Sequence, residues 1–440
     1  MSALAELFVR RGVAVSGCDL SAEGSSDLLR HGIVIATAHD PSHVTGARAL
    51  VVTSALAADH PEVARARAIG LPIIRRAEAL GEVTSGSGRE LVAIAGTHGK
   101  STTTAMTAFA LAAAGRDPTA LVGARVSQWG GNLRPGGDRL YVAEADEYDR
   151  SFLALSPTVA VVTNVEADHL DVYADLADIR RAFAQFVRGA RSVVVCADDL
   201  GATALAMPAT SEVVRYGVQS ADARLVARDQ RPTADGSAFV VEFDGERLGS
   251  VALRVPGAHN VLNALAALGA GIVLGAPFAD LVRGIADFSG TERRFERLGE
   301  VGGVTVIDDY AHHPTEITAT VSAARASFPG RRLLVAFQPH LFSRTRDFAR
   351  DFARALSTAD VVYLTEIYAA RETPIAGVSS DLIVDALGAE HRRLAWRGDR
   401  AALADALASD VRAGDVVITM GAGDITKTGP ELLVRLRRAA

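Results

Sequence analysis

Lysine is nearly absent from this chain. The 440 residues include 46 lysines and arginines, and only Lys100 and Lys427 among them are lysines. A composition this biased indicates that arginine serves wherever a plain positive charge suffices. The retention of Lys100 therefore needs a reason in its surroundings, which are Gly96-Thr97-His98-Gly99-Lys100-Ser101-Thr102.

Cysteines, excess charge and long apolar runs are also scarce. Cys18 and Cys196 lie far apart, show no metal-ligand spacing, and are interpreted as small buried residues in a reducing compartment. A net charge of −6 argues against nucleic acid as the main partner. The longest apolar run, residues 264–278, contains glycines and Pro277, which predicts a buried helix and its end. With no visible signal peptide, we expect a cytoplasmic protein without membrane insertion.

Strand-like apolar runs alternate with helical stretches along most of the chain. This rhythm predicts an α/β architecture with parallel sheets. A Ser/Gly-rich linker at residues 84–88 and a break after residues 291–295 predict three domains, at residues 1–86, 87–295 and 296–440. We expect Rossmann-like folds for the first and third domains and a P-loop ATPase-type fold for the central one.

The region from about residue 222 to residue 255 departs from this rhythm. Two apolar runs, 239–243 and 247–255, flank Asp244-Gly245. An Asp-Gly pair between such runs predicts a β-hairpin, which we place in the central domain as an antiparallel addition.

The segment around Lys100 has the order of a phosphate-binding loop. Residues 91–95 predict a buried strand, and residues 103–114 predict a helix that ends at Gly115. In this arrangement loop amides and the helix N-terminus face phosphate oxygens, the ammonium reaches the β- and γ-phosphates, and Ser101 can hold Mg²⁺. The alternative is a tight turn with a solvated lysine, since Gly96 and Gly99 are unusually close. We expect Lys100 to meet a ligand and not the core.

Acidic residues follow two further predicted strands, at residues 140–143 and 159–164. Glu144 ends the first, and His169 lies shortly after the second. Carboxylates at the carboxyl edge of parallel strands suit Mg²⁺, so Ser101, His169 and one of the carboxylates in residues 144–147 or 166–168 are predicted to converge on metal-bound ATP. Taken singly, a glutamate or histidine at a strand end is more often a surface or capping residue.

Two amides and two arginines complete the candidate site. Asn260 and Asn263 are one turn apart on a predicted helix, where carboxamides can read an adenine edge. The alternative for Asn260 is N-capping. Arg293 and Arg294 lie at a predicted domain junction, where an arginine can bridge to phosphate; the alternative is a solvated surface pair.

In this order, these residues resemble the Mur ligase family of ATP-dependent acid–amino acid ligases. The resemblance covers nearly the whole chain. Segments shared across the family are 96–102, Glu144, 164–169, 257–263 and Arg294. Segments typical of the alanine-adding branch are 308–316, 337–346, 368–372 and 421–424.

The resemblance implies a reaction of two steps. The γ-phosphoryl group of ATP passes to the lactyl carboxylate of UDP-N-acetylmuramate, and the amine of L-alanine then attacks the acyl phosphate. ATP and Mg²⁺ are the implied cofactors, in a cytoplasmic enzyme of peptidoglycan synthesis that is a monomer or weak homodimer. Two alternatives stay open: a ligase that attaches a preformed peptide to the same nucleotide sugar, and a non-catalytic nucleotide-binding relative.

The resemblance also implies a role for each matched residue. Lys100 and Arg294 neutralise charge, Ser101 and Glu144 hold one Mg²⁺, and Glu144 with His169 holds the second. The remaining nucleotide contacts are Gly96, Thr97, His98, Gly99, Thr102, His259, Asn260 and Asn263. The residues implied near the reacting groups or the substrates are Tyr310, His312, His340, Arg344, Asn132 and Asp19.

Two departures from the family pattern are visible. Several relatives use a carbamylated lysine as a metal ligand, and this chain has no lysine between positions 101 and 426. The alanine-adding branch is expected to do without it. Leu341 stands where some members have arginine, so that arginine contact is not transferred.

The start of the chain predicts half of a βαβ unit. Residues 2–11 predict a helix and residues 13–15 a short strand leading to Asp19. The first strand and its glycine loop are not visible before them. We therefore expect the functional protein to begin upstream by about 10 to 20 residues, and the 440-residue form to bind UDP-sugar poorly.

Overall fold

The structure is a computed structural model. It describes residues 1–20, 26–53, 56, 59–233, 236–370, 372–388 and 393–439. The chain forms two compact units. The first contains residues 1–229, 239–251 and 262–289, and the second contains residues 230–238, 252–261 and 290–440.

Fourteen α-helices lie in the described part of the chain. They are α1 Ser2–Arg10, α2 Ser26–Arg30, α3 Pro61–Ala68, α4 Arg76–Thr84, α5 Lys100–Ala113, α6 Leu176–Val187, α7 Leu200–Thr203, α8 Ala258–Val273, α9 Phe278–Asp287, α10 Pro314–Ser327, α11 Phe342–Leu356, α12 Asp381–Leu387, α13 Arg400–Asp410 and α14 Thr428–Ala439.

The described residues also form twenty β-strands. They are β1 Ser16–Cys18, β2 Val34–Ala36, β3 Leu50–Val52, β4 Ile73–Arg75, β5 Glu90–Ala95, β6 Thr119–Val126, β7 Gly131–Arg134, β8 Leu140–Glu144, β9 Val159–Val162, β10 Ser192–Cys196, β11 Glu212–Gly217, β12 Leu225–Pro232, β13 Ser237–Phe243, β14 Glu246–Leu253, β15 Glu296–Val301, β16 Val304–Asp309, β17 Leu333–Phe337, β18 Val361–Thr365, β19 Leu394–Gly398 and β20 Val416–Met420.

A ten-stranded sheet carries the candidate nucleotide site. Its order is β14-β13-β12-β11-β10-β9-β5-β8-β6-β7, and β5 pairs in parallel with both β8 and β9. These three strands are almost entirely buried apolar runs, as expected for parallel strands covered on both faces. Because parallel strands end at the same edge, the segments after β5, β8 and β9 come together there. The predicted α/β architecture is confirmed.

The predicted hairpin is present in this sheet. Strands β13 and β14 are neighbours and are joined by Asp244 and Gly245, which have φ values of 51° and 85°. Positive φ at both turn residues matches the twist of antiparallel strands, which explains the Asp-Gly pair.

A second sheet of six strands lies in the other unit. Its order is β15-β16-β20-β17-β18-β19, with antiparallel pairing between β15 and β16 and parallel pairing along the rest. Helices α10 and α11 contribute Ile317, Val321 and Phe352 to its core. Strands β16 and β17 each pair in parallel with β20, so the residues that follow β16, β17 and β20 lie at the same edge of the sheet.

The first 86 residues contain two small parallel sheets, β1 with β2 and β3 with β4. The predicted helix at the start is confirmed as α1. The strand predicted at residues 13–15 is wrong, since pairing begins at Ser16. Gly12 has a φ of 78° and the Val13 amide donates to the Phe8 carbonyl, so this stretch closes the end of α1.

The long apolar run predicted to be a buried helix is confirmed. Residues 264–268 are fully buried in α8, which ends at Val273, and Gly275 with a φ of 72° leads into α9. In the described part of the chain, no helix combines the length and apolarity needed to cross a membrane.

Candidate functional site

The loop between β5 and α5 requires its two glycines. Gly96 has a φ of 141°, and a Cβ there would lie 1.9 Å from the Thr163 hydroxyl oxygen. Gly99 has a φ of 81°, immediately precedes α5, and a Cβ there would lie 2.5 Å from Asn263 Oδ1. Only glycine fits such backbone positions without strain. The helix begins at Lys100, three residues before the predicted start, so Lys100 and Ser101 belong to its first turn.

The segment after β9 fixes the loop. Asn164 Oδ1 accepts from the His98 amide at 2.8 Å, and its Nδ2 donates to the His98 carbonyl at 3.2 Å. The Thr163 hydroxyl donates to the same carbonyl at 2.6 Å, and the Glu166 amide donates to Thr97 Oγ1 at 2.9 Å. These bonds hold the loop in shape without using the amides of the first helical turn, which suit an anion.

Lys100 has a buried carboxylate partner. Its Nζ lies 2.8 Å and 2.9 Å from the two Glu147 oxygens and also donates to the Gly96 carbonyl at 2.7 Å. Burial lowers the pKa of Lys100, but Glu147 and its acidic neighbours outweigh this effect and raise that pKa. Burial likewise raises the pKa of Glu147, and the lysine charge reverses this and lowers it. The Lys100 side chain is 13% exposed, and its ammonium contacts a carboxylate and a loop carbonyl.

Ser101 and Glu144 are adjacent. The Ser101 hydroxyl donates to Glu144 Oε2 at 2.8 Å, and the Gly123 amide donates to the same oxygen at 2.7 Å. A hydroxyl and a carboxylate in contact at the start of a phosphate-loop helix are hard oxygen donors of the kind that Mg²⁺ prefers. The donor set therefore fits the predicted ion.

His169 lies beside the lysine pair. Its Nε2 is 3.6 Å from Glu147 Oε1 and 3.8 Å from Asp168 Oδ2, and its backbone φ is 54°. Burial lowers the pKa of His169, but the neighbouring carboxylates raise it above its usual value. Asp146 is also close: burial and the charge of Glu147 raise its pKa. His169 is thus placed among acidic residues next to Lys100.

The amides and histidine of α8 have separate environments. Asn263 Oδ1 accepts from the Thr103 hydroxyl at 3.2 Å, beside the loop. Asn260 lies inside the helix and donates to the Pro256 carbonyl at 2.6 Å, so the N-capping alternative is wrong. Burial and the charge of Arg294 lower the pKa of His259 to about 4.

In the second unit, Tyr310 lies between two arginines. The guanidinium carbons of Arg293 and Arg294 are 4.8 Å and 5.0 Å from its ring centroid. Arg293 is also bound to Asp308 Oδ2 at 3.1 Å and to the Gly421 carbonyl at 2.7 Å, which makes it structural. Arg294 also forms a long 3.7 Å ion pair with Glu316.

Three further predicted residues, His312, His340 and Arg344, form a chain of contacts that starts at Tyr310. His312 Nδ1 lies 2.9 Å from the Tyr310 carbonyl oxygen, and its ring centroid is 5.9 Å from that of His340. His340 in turn has Nδ1 3.4 Å from Arg344 Nη1 and stacks on Tyr368 at 5.9 Å. The structure therefore brings Tyr310, His312, His340 and Arg344 into one cluster. Arg371 of the 368–372 segment lies outside the described residues.

Asn132 and Asp19 are placed in the first unit. Asn132 shares hydrogen bonds with the Ser2 hydroxyl at 3.0 Å and 3.2 Å, which joins β7 to α1. Asp19 is exposed directly after β1, and its amide donates to the Ala36 carbonyl at 2.9 Å.

Sequence reasoning missed several groups of the site. Glu147 is the main partner of Lys100, Glu316 contacts Arg294 and His312, and Thr163 seats the loop. Glu147 lies three residues after Glu144, which was a predicted metal ligand. The strand pattern did not indicate which of the neighbouring carboxylates faces Lys100.

Three family models match the chain. The Mur ligase family catalytic domain matches residues 1–87, the Mur ligase middle domain matches residues 94–271, and the Mur ligase glutamate ligase domain matches residues 293–423.

Relatives with full-length similarity carry one name. UDP-N-acetylmuramate–L-alanine ligase of Acidothermus cellulolyticus is 46% identical over 100% of this chain and 93% of its own length. The protein of that name from Kineococcus radiotolerans is 47% identical over 98% of this chain and 93% of its own length.

Two solved structures resemble the chain over nearly its whole length. The UDP-N-acetylmuramate–alanine ligase of Thermotoga maritima matches with a TM-score of 0.86 and 29% identity, over 100% of this chain and 97% of the other. A murein peptide ligase of Psychrobacter arcticus matches with a TM-score of 0.73 and 26% identity, over 99% and 96%. With three matching domain models and relatives of 46–47% identity along its length, the chain belongs to the Mur ligase family.

Proposed function

We propose that this chain uses ATP to join L-alanine to the lactyl carboxylate of UDP-N-acetylmuramate. The observation that carries the proposal is the contact of Lys100 and Ser101, in the first turn of α5, with the carboxylates of Glu147 and Glu144. That arrangement suits a nucleotide triphosphate with its metal ion. The choice of acceptor and amino acid is supported by the name that both 46–47% identical relatives carry.

The proposed reaction places specific demands on charge. In the first step the bond between the β,γ-bridging oxygen and the γ-phosphorus of ATP breaks and ADP leaves. The carboxylate oxygen bonds to that phosphorus, which gives an acyl phosphate. In the second step the uncharged amine of L-alanine attacks the acyl carbon, loses a proton, and phosphate leaves as the amide forms. Two anions must meet in the first step, so Lys100 and Arg294 are proposed to offset their repulsion.

Ser101 and Glu144 are proposed to hold one Mg²⁺, and Glu144 with His169 a second. When bound, such ions neutralise charge on the phosphate oxygens. Glu147 has a different proposed role, because it already binds Lys100 through both oxygens. It holds the ammonium in place against the loop carbonyls.

Further contacts are proposed by region. Residues 1–86, with Asp19 and with Asn132 from the next region, bind the nucleotide sugar. Residues 87–295 bind ATP through loop residues 96–102 and through His259, Asn260 and Asn263 of α8. Residues 296–440 bind the amino acid, with His340 and Arg344 near its carboxylate and Tyr310 and His312 near the metal-bound nucleotide. The cluster formed by these four side chains supports the last assignment.

A substrate comparison tests the proposal. Purified chain with ATP, Mg²⁺ and UDP-N-acetylmuramate should release phosphate with L-alanine and give a product heavier by one alanyl residue. A preformed peptide in place of L-alanine should give far less product. Reaction with the peptide alone would favour the peptide-ligase alternative, and phosphate release with neither amine would overturn both.

A further inference from the structure

A thiol, an imidazole and a carboxylate meet beside the small sheet of β1 and β2. Cys18 Sγ lies 3.1 Å from His39 Nδ1 and 3.0 Å and 3.2 Å from the two Glu62 oxygens. One ligand atom from each of the three residues lies within 4.8 Å of the other two. Glu62 is only 5% exposed, whereas Cys18 and His39 are half-buried, so the group is reachable from solvent.

Two more histidines surround this group. His43 Nδ1 is 2.8 Å from Glu62 Oε1, and the His60 ring centroid is 4.4 Å from that of His39. His60 is 8% exposed, and neither of its ring nitrogens has a hydrogen-bond partner in the part of the chain that the structure describes. A buried imidazole without a hydrogen-bond partner is costly.

We propose that Cys18, His39 and Glu62 form a Zn²⁺ site, with His43 as the fourth ligand and His60 packed against His39. Thiolate, imidazole and carboxylate together suit Zn²⁺, whereas Mg²⁺ and Ca²⁺ take oxygen ligands. Tetrahedral zinc with ordinary bond lengths needs donor atoms roughly 3.5 Å apart. The separations between Cys18 and His39, Cys18 and Glu62, and His43 and Glu62 are 3.1 Å, 3.0 Å and 2.8 Å, so each of these pairs would move apart on binding. His43 lies outside the group of three mutually close donors and would have to rotate toward it.

Sequence spacing does not reveal this site. Cys18 ends β1, His39 follows β2, His43 lies in the short 3-10 helix at Pro41–Val44, and Glu62 is in the first turn of α3. His39 and His43 are four residues apart, a spacing that zinc ligands often have, but Cys18 and Glu62 lie far from them in sequence, and the sequence-based interpretation of Cys18 as a small buried residue missed the site. An ion here would tie the sheet of β1 and β2 to α3, which precedes β4 of the neighbouring small sheet.

Without an ion, the same contacts form a hydrogen-bond network in which the Cys18 thiol and the His43 ring donate to the Glu62 carboxylate. The two interpretations differ in one measurable property, the bond between sulfur and metal. Zinc binding replaces the thiol proton, which passes to solvent, with a sulfur–metal bond.

Cobalt spectroscopy tests the proposal directly. The full chain, freed of metal by a chelator and titrated with Co²⁺, should show a sulfur-to-cobalt charge-transfer band that one equivalent of Zn²⁺ abolishes. The chain has only two cysteines, so Cys18→Ser should lose the band and Cys196→Ala should retain it. Absence of the band in the unaltered chain, or its loss only in Cys196→Ala, would overturn the proposal.

Affinity measurements complete the test and do not depend on ligase activity. Zn²⁺ competition with a chromophoric chelator should show that His39→Gln and Glu62→Gln each weaken binding at least about 10-fold. His31→Gln is the matched control, since His31 pairs with Glu6 and lies outside the cluster. Circular dichroism confirms that each variant is folded. Equal affinity in folded His39→Gln, Glu62→Gln and His31→Gln would show that no such site exists.

Discussion

At the residue scale, the candidate site depends on a buried pair of opposite charges. Lys100 is held by Glu147 and by a loop carbonyl, so the ammonium is already placed before any phosphate arrives. Removing one member of a buried pair leaves the other charge without compensation, which typically costs about 3–5 kcal/mol. Activity and stability are therefore coupled at this position.

Replacement of Lys100 separates the two effects. Lys100→Ala should reduce the rate of phosphate release at least about 100-fold, because a preorganised charge near the transferred phosphoryl group is lost. It should also lower the free energy of unfolding, because Glu147 is left unpaired. Lys100→Met with Glu147→Gln should recover much of that stability and none of the activity. Phosphate-release assays and urea unfolding measure both quantities.

Lys427→Ala is the matched control for this series, since Lys427 is the other lysine and is exposed in the second unit. Its activity and stability should match those of the unaltered chain. Near-normal phosphate release by Lys100→Ala would contradict the proposed phosphate site.

The residue types of the candidate site were easier to predict than their pairing. The glycine loop, Lys100, Ser101 and Glu144 were predicted because each type performs a known task at a strand end or helix start. The pairing of Glu147 with Lys100 was missed because neighbouring acidic residues look alike in a sequence, and only the backbone after β8 decides which carboxylate faces the lysine. The cluster of Cys18, His39 and Glu62 was missed for a similar reason, since its members come from different elements.

At the scale of elements, glycines flank both ends of α5. Gly99 and Gly115 have φ values of 81° and 73°. A Cβ at Gly99 meets Asn263 Oδ1 at 2.5 Å, whereas one at Gly115 has no atom within 4 Å among the described residues. The two positions therefore share backbone strain but differ in the space around them.

Replacing each glycine by alanine tests this difference. Gly115→Ala should cost about 1–2 kcal/mol of stability, the price of left-handed backbone for alanine, and leave ATP binding unchanged. Gly99→Ala should show the same strain and in addition weaken ATP binding at least about 10-fold, because Asn263 is displaced beside the phosphate loop. Calorimetric titration with a non-hydrolysable ATP analogue measures the affinity. Equal affinities in both variants would contradict the role given to Gly99.

Asp309 at the end of β16 and His259 at the start of α8 have opposite effects on how stability depends on pH. The pKa of His259 is lowered to about 4 from 6.5 by burial and Arg294. Between these values only the unfolded chain binds the proton, so this group reduces stability as pH falls from about 6.5 to about 4. Burial raises the pKa of Asp309 to about 6 from 3.8, although Arg294 opposes it. There the folded chain binds the extra proton, so stability increases as pH falls from about 6 to about 3.8.

Each group can be removed in turn. Asp309→Asn should make the loss of stability between pH 6.5 and 4 steeper, since the effect of His259 is no longer opposed. His259→Gln should make it shallower or reverse it. Urea unfolding at several pH values in this window measures the slopes, with Asp385→Asn, at an exposed carboxylate, as control. The same slope in Asp309→Asn and in the control would contradict the raised pKa.

Long elements were predictable, and short ones were not. The runs that became β5, β8 and β9 are apolar throughout and end at polar residues, so both their type and their position were clear. Strand β1, Ser16-Gly17-Cys18, has no such pattern and depends on pairing with β2. Residues 13–15 look more like a strand in the sequence, but Val13 hydrogen-bonds to the last turn of α1. Tertiary pairing outweighed local preference there.

At the scale of the whole molecule, the chain consists of two compact units, each with a large sheet. Each unit also has its own natural reporter. The chain has two tryptophans: Trp129 in the first unit, stacked on Phe109 of α5 at 5.4 Å, and Trp396 in β19 of the second. Trp396→Phe and Trp129→Phe therefore yield chains in which fluorescence follows one unit at a time.

Inorganic triphosphate with Mg²⁺ should stabilise the first unit more than the second, because Lys100, Ser101 and Glu144 all belong to the first. At 100 times the dissociation constant the stabilisation is about 2.7 kcal/mol, which corresponds to roughly 5–10 °C in a unit of this size. The Trp129 transition should rise by that amount and the Trp396 transition by less, and Lys100→Ala should abolish the rise at Trp129. A larger shift at Trp396 than at Trp129 would contradict this assignment, and no shift at Trp129 would remove the phosphate site from α5.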